Sequence, residues 1–283
     1  MSDANMLEMQ HVSKSFHSGG LLQRGQVKKA VDDVSFVLNA GETLAIVGES
    51  GSGKSTTARL AMRLIAADAG QILWHGKDVS GMKARALRQH RHHIQMVFQD
   101  PYASLNPRMR IWESVAEGLR VHKPAWNKQQ RRDAVAKVLQ QCGLDTEGME
   151  RYPHQFSGGQ RQRIGIARAL IVEPKVLVLD EPVSALDVSV QAQILNLLKS
   201  LQAQSDLAYL FISHDLSVVR HIANRVMVML DGQVVEQGDV VDVFDQASHV
   251  YTQSLLDSRP IAHPSERISQ QVFEYSSEHA KQV

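Results

Sequence analysis

A short, wholly apolar run, Leu44-Ala45-Ile46-Val47, leads directly into Gly48-Glu49-Ser50-Gly51-Ser52-Gly53-Lys54-Ser55, and helical spacing then continues from Lys54 to Ile65. This order of strand, glycine loop and helix restricts the fold more than any other feature of the chain. It calls for a strand buried on both faces with a helix opening at its carboxyl end. Gly48, Gly51 and Gly53 let successive N–H groups curl inward at the start of that helix, where the dipole also favours an anion. Every fixed position of G-x-x-x-x-G-K-[ST] is filled, so the segment predicts a phosphate cradle that includes Ser50. Lys54 then supplies a point charge to the β- and γ-phosphates, Ser55 an oxygen ligand for Mg²⁺, and Thr56 a contact to the α-phosphate.

Strand-like runs recur at residues 176–179, 209–212 and 226–230, with helix-patterned segments at 188–204 and 216–223 between them. That alternation predicts a parallel sheet covered by helices. Upstream, residues 7–16 half-alternate and give way to His17-Ser18-Gly19-Gly20 and a basic loop through Lys29. They read as a strand, a flexible hairpin connection and a second strand near residues 34–38. Amphipathic helices are expected at 111–121 and 127–141, interrupted by Lys123-Pro124, so about residues 100–165 form a helical insertion. The chain divides into one folded unit, residues 1–260, and a polar tail, residues 261–283. No internal repeat is visible, so one such unit is expected.

Composition removes several classes of function. With 43% hydrophobic residues in 283, the chain can bury a substantial core. Lys and Arg number 31 against 30 Asp and Glu, for a net charge of +1, so there is no bulk positive field to attract nucleic acid. No apolar stretch approaches the roughly 20 residues that span a bilayer, which makes the chain itself no channel. The first residues, Met1-Ser2-Asp3-Ala4-Asn5-Met6, show no secretory pattern, and a single Cys142 permits no internal disulfide; both suit a reducing cytoplasm.

Val176-Leu177-Val178-Leu179-Asp180-Glu181 is an apolar strand ending in two acids, and in open α/β sheets such ends face the ligand crevice. Asp180 is placed to hold Mg²⁺, and Glu181 to polarise water as general base. His214 follows the strand at 209–212, which should end beside those acids. In Phe156-Ser157-Gly158-Gly159-Gln160, Ser157 is a good N-cap, the glycines permit close approach, and residues 160–170 read as a helix. This is a second phosphate-seeking terminus in a chain with one phosphate loop. Two other groups invite a plainer reading. His90, His92 and His93 are expected on a solvated helix face, and Arg161, Arg163 and Arg168 on the polar face of the helix that follows Gln160.

In kind and order these motifs resemble the ATP-binding subunit of an ATP-binding-cassette (ABC) transporter, over residues 7–260. The resemblance implies a P-loop NTPase (RecA-like) α/β core with an antiparallel β subdomain and an inserted α-helical subdomain. It also implies ATP and Mg²⁺ as ligands. By the same resemblance, Phe16 stacks on adenine, and Gln99 joins the core to the helical region beside metal and water. Ser157, Gly158, Gly159 and Gln160 meet the ATP held by a second subunit. Ser184-Ala185-Leu186-Asp187 lies at the dimer interface, and His214 senses the γ-phosphate. Phe98-Gln99-Asp100-Pro101-Tyr102-Ala103-Ser104-Leu105-Asn106-Pro107-Arg108 and His249-Val250-Tyr251-Thr252-Gln253-Ser254-Leu255-Leu256 resemble the oligopeptide, dipeptide and nickel importer branch. That branch implies two membrane-spanning permease subunits, a second ATPase subunit, related or identical, and an external solute-binding protein. It also places the chain at the cytoplasmic face of a bacterial inner membrane. Some members carry an iron-sulfur centre on a C-terminal cysteine cluster. No cysteine follows Cys142, so none is expected here. Alternatives are metal-chelate uptake, export, and a soluble ABC ATPase acting on ribosomes or DNA.

Overall fold

A computed structural model describes residues 5–18, 26–100 and 102–258. The expected hairpin glycines Gly19 and Gly20, Pro101 and the tail at 261–283 lie outside the described residues. The chain opens with two long strands, β1 (Asn5–Ser18) and β2 (Gln26–Asn39), then β3 (Thr43–Val47) and α1 (Lys54–Ala61). β4 (Ala69–Trp74), β5 (Lys77–Asp78), α2 (Ala84–His90) and β6 (Ile94–Val97) follow. A mainly helical stretch comes next: α3 (Ile111–Val115), α4 (Glu117–His122), α5 (Lys128–Gln141) and α6 (Gly158–Leu170). The chain returns to alternating elements with β7 (Val176–Asp180), α7 (Val188–Ser205), β8 (Ala208–Ile212), α8 (Leu216–Ile222), β9 (Arg225–Leu230) and β10 (Gln233–Asp239). Two short helices, α9 (Val240–Asp245) and α10 (Val250–Asp257), close the described chain.

Two sheets result. One is antiparallel in the order β2-β1-β4-β5; the other runs β10-β9-β3-β8-β7-β6, parallel except for β10. Side chains alternate across a strand, and here alternate residues feed different cores. Leu44, Ile46, Val176, Val178, Leu210 and Ile212 pack with α1 and the antiparallel sheet. Leu177, Leu179, Tyr209 and Phe211 pack with α7 and the helical stretch. β3 and β8 are buried along their whole length, which explains why their sequences show no polar alternation.

The central strands and α7 fall within a residue or two of expectation, whereas other elements differ. α1 ends at Ala61, not at Ile65, and α6 begins at Gly158, not at Gln160. β4, β5, β6 and β10 have weak sequence patterns; β10, for instance, is mostly half-exposed or exposed along its length. The arginines of α6 do not form a solvated face. Arg161 is buried, donates from Nε to the Pro153 carbonyl at 2.7 Å, and stacks 3.9 Å from the Tyr102 ring centroid. Arg163 donates to the Cys142 carbonyl and Arg168 to that of Ser104, so all three use backbone acceptors to tie α6 to its surroundings. The histidines also pack more than expected. His92 lies 3.9 Å from His93 and 5.4 Å from His122 of α4, ring to ring, and burial with cationic neighbours pushes His93 down to about 4.

Candidate functional site

The strand order β3-β8-β7-β6 decides what meets at the carboxyl edge of the parallel sheet. Neighbouring strands lie about 4.8 Å apart, so the residues that follow them are forced together. β3 delivers the glycine loop, β8 delivers Ser213 and His214, β7 ends in Asp180 and is followed by Glu181, and β6 leads into Phe98 and Gln99. The chemistry-bearing residues therefore form a row, although they come from segments far apart in sequence.

Two glycines of the loop are required by close approach. A Cβ on Gly48, at φ +144°, would lie 2.2 Å from the Met229 carbonyl oxygen of β9. One on Gly53, at φ +107°, would lie 2.5 Å from the Ala30 oxygen of β2. The cradle is thus clamped between two strands, with Ser50 and Gly51 exposed at its tip. Lys54 is buried and donates to the carbonyl oxygens of Gly48 and Glu49, 2.7 Å each. Burial lowers its pKa, against the opposing pull of Glu181, Asp180 and Glu49. Ser55 Oγ points at Asp180 Oδ1 across a long 3.4 Å contact, and Thr56 lies half-buried beside it.

Asp180 has its pKa raised, first by burial and then by Glu181, while Ser55, Arg59 and Lys54 pull the other way. A desolvated carboxylate with a hydroxyl opposite, next to a lysine, is a donor set suited to a hard divalent cation with phosphate oxygens. Ser52 Oγ, in the same loop, is buried and has no hydrogen-bond partner.

Glu181 is fixed from two sides. Gln99 Nε2 donates to its Oε2 at 2.8 Å, and His214 Nδ1 lies 3.1 Å from its Oε1. Its backbone holds φ +47°, the left-handed region, with its N–H bonded to the Ile212 carbonyl and its C=O accepting from Ser184 Oγ. A non-glycine residue in that conformation is held by its surroundings, and such positions concentrate at functional sites. Ser184 Oγ also lies 3.5 Å from Gln99 Nε2. Gln191, which the sequence reading did not select, donates to the Val183 and Leu186 carbonyls and so braces the loop below Glu181. Its signal in sequence is only that it sits one turn into α7.

The other predicted residues stand apart from this row. Phe16 near the end of β1 is 45% exposed, with Lys14 Nζ 5.7 Å from its ring centroid, so it is not a core aromatic. Ser157 caps α6 through a reciprocal pair: Oγ accepts from Gln160 N–H at 3.3 Å, and Gln160 Oε1 accepts from Ser157 N–H at 2.9 Å. A Cβ on Gly159 would lie 2.4 Å from Val190, and one on Gly158 3.5 Å from Leu186, so α6 begins pressed against the start of α7. Asp187 caps α7, accepting from Val190 N–H at 3.0 Å, a bond that helps hold its carboxyl below the usual range. Among the described residues, no hydrogen bond joins Ser157–Gln160 to the glycine loop, and no group of histidine, cysteine and acidic side chains forms a separate metal site.

A parallel sheet whose carboxyl edge carries a glycine cradle, an acid pair, a glutamine and a histidine defines a nucleotide-binding ATPase. The model of the ABC transporter family matches residues 31–184, and the chain belongs to that family. It is 50% identical over 260 residues to the oligopeptide transport ATP-binding protein OppF of Bacillus subtilis (strain 168), covering 92% of this chain and 84% of that one. To OppF of Salmonella typhimurium it is 54% identical over 236 residues, covering 83% and 71%. Among solved structures it resembles the dimeric post-hydrolysis state of the ATP-binding cassette MJ0796 bound to ADP and Pi, at TM-score 0.74 and 28% identity, covering 83% of this chain and 99% of that one. It also resembles cbiO1 from Clostridium perfringens, part of the transporter complex cbiONQ, at TM-score 0.75 and 28% identity, covering 86% and 92%. The chain is thus the ATP-hydrolysing component of an ABC system, and no helix among its described residues is long and apolar enough to cross a membrane.

Proposed function

We propose that this chain powers a bacterial importer of oligopeptides or related small solutes from the cytoplasmic face of the inner membrane. It works there with two membrane-spanning subunits, a second ATPase subunit and an external solute-binding protein. The reading is supported by its 50% identity to the oligopeptide transport protein of Bacillus subtilis. The observation that carries the chemistry is the grip on Glu181 by Gln99 and His214, beside Asp180 and Lys54.

Each residue then has a task. Lys54 leaves the Gly48 and Glu49 carbonyls for the β- and γ-phosphates, and the loop N–H groups from Ser50 to Thr56 receive the phosphate oxygens. Ser55 and Asp180, with Gln99 nearby, would hold Mg²⁺, which when bound would supply positive charge to the phosphate oxygens. Glu181 accepts the proton of the attacking water while Gln99 and His214 keep its carboxylate aimed. Phe16 offers its exposed ring to adenine. Ser157, Gly158, Gly159 and Gln160 supply a capped helix N-terminus to the ATP of the partner ATPase, next to the Asp187 loop. Two chains close head-to-tail around two nucleotides, and hydrolysis reopens them.

Purification of the tagged, full-length chain from its own membranes tests the assembly. The expected companions are multi-spanning membrane proteins and one further ATPase; a soluble complex with ribosomes instead would overturn the importer reading.

A further inference from the structure

The glycine loop is held from outside by a residue near the end of the described chain. Tyr251, on α10, accepts a hydrogen bond at its hydroxyl from the backbone N–H of Glu49, 3.0 Å away. The same peptide unit carries the Gly48 carbonyl, which accepts from Lys54 Nζ at 2.7 Å. Among the described residues no cis peptide bond occurs, and in a trans peptide the C=O and N–H point in opposite directions. One peptide plane is therefore pinned at both ends, by Lys54 on one side and by Tyr251 on the other.

The two pins have different fates. Lys54 is needed by the phosphates and must release the carbonyl when nucleotide enters, whereas Tyr251 has no competing role there. The support behind Tyr251 is firm. Leu255, Leu256 and Tyr251 itself pack against the core formed by Val47, Leu216, Val219, Val226 and Val228. The start of α10 is tied to β10, where the Glu236 carboxylate accepts from Ser248 N–H at 2.7 Å, Ser248 Oγ at 2.8 Å and His249 N–H at 3.2 Å. His249 Nδ1 in turn accepts from Tyr251 N–H at 3.2 Å.

We infer that Tyr251 is a positioning residue for ATP binding: its hydroxyl fixes the Gly48–Glu49 peptide so that the cradle keeps its shape when Lys54 moves to the phosphates. The inference rests on the ATP-site reading above, and deepens it by assigning part of the affinity to a helix that touches no nucleotide.

The test uses the full-length chain and the fluorescent analogue mant-ATP with Mg²⁺. Tyr251→Phe removes the hydroxyl and keeps the ring. Its Kd is expected to rise about 3- to 10-fold, chiefly through faster release, the scale of one lost hydrogen bond. Tm should stay at the wild-type value, and amide exchange at Glu49 in the nucleotide-free chain should accelerate while that of β3 does not. A Kd within about twofold of wild type overturns the inference. So does a raised Kd accompanied by the same fall in Tm as Tyr251→Ala, since that outcome assigns the effect to packing. Failure of the wild-type chain to bind mant-ATP would instead sink the ATP-site reading and leave the Tyr251 contact unassigned to it.

Discussion

Glu181 is gripped by side chains from the ends of two other strands, whereas Ser157 is bonded only within the first turn of its own helix. The sheet-edge half of the site is closed on itself: Lys54 sits on loop carbonyls, Ser55 faces Asp180, and Gln99 and His214 meet on Glu181. The signature half is packed at its base, where Gly159 abuts Val190, and its tip is exposed. One half waits for a small molecule. On the proposed function, the other half meets the ATP held by the second ATPase subunit.

The largest effect that sharpens this contrast is expected at Glu181. Glu181→Gln should lower ATP turnover by about 10²–10⁴-fold, the scale of a lost positioned base, with ATP affinity retained in a binding titration. Near-normal turnover would remove Glu181 from its role. Ser157→Arg should cost about 10²-fold in turnover by placing a long cation where close approach is needed, while mant-ATP affinity of the single chain stays unchanged. Loss of that affinity would show the two halves to act in one chain. The smallest effect is on stability. Asp180 has a raised folded pKa, so the folded chain holds its proton more tightly than the unfolded one, and stability falls as pH rises through that raised value. Asp180→Asn should therefore raise Tm at neutral pH, with the gain vanishing as the pH drops to the ordinary carboxylate value. An unchanged Tm at neutral pH would mean that the carboxylate is better solvated than its burial implies.

The parts legible in the sequence are those set by local physics. β3, the glycine loop and α1 are contiguous, the acids end an apolar run, and Ser157 caps α6 by a three-residue pattern. What escaped reading depends on distance or on context. β10 and β4 form exposed edges or half-buried layers whose side chains alternate weakly. Arg161 and Arg168 carry charge in a helix with a polar-looking face, and only the fold shows that backbone carbonyls accept their hydrogen bonds. The meeting of Glu49 with Tyr251 joins two ends of the chain, and no local pattern announces it. Asp187 is expected at an interface by resemblance, and within the chain it caps α7.

The arginine contacts of α6 also bear on how such a chain can vary through descent. Arg161 lies on the ring of Tyr102, and Arg168 bonds the Ser104 carbonyl, so two stretches of gene that are separated by the whole of α5 are answerable to each other. A change of Tyr102 alters what Arg161 rests on, and neighbours in direct contact do not add independently. The residues after Gln99 and the helix behind the signature are thus in direct contact, so the effect of a substitution on one side depends on what stands on the other.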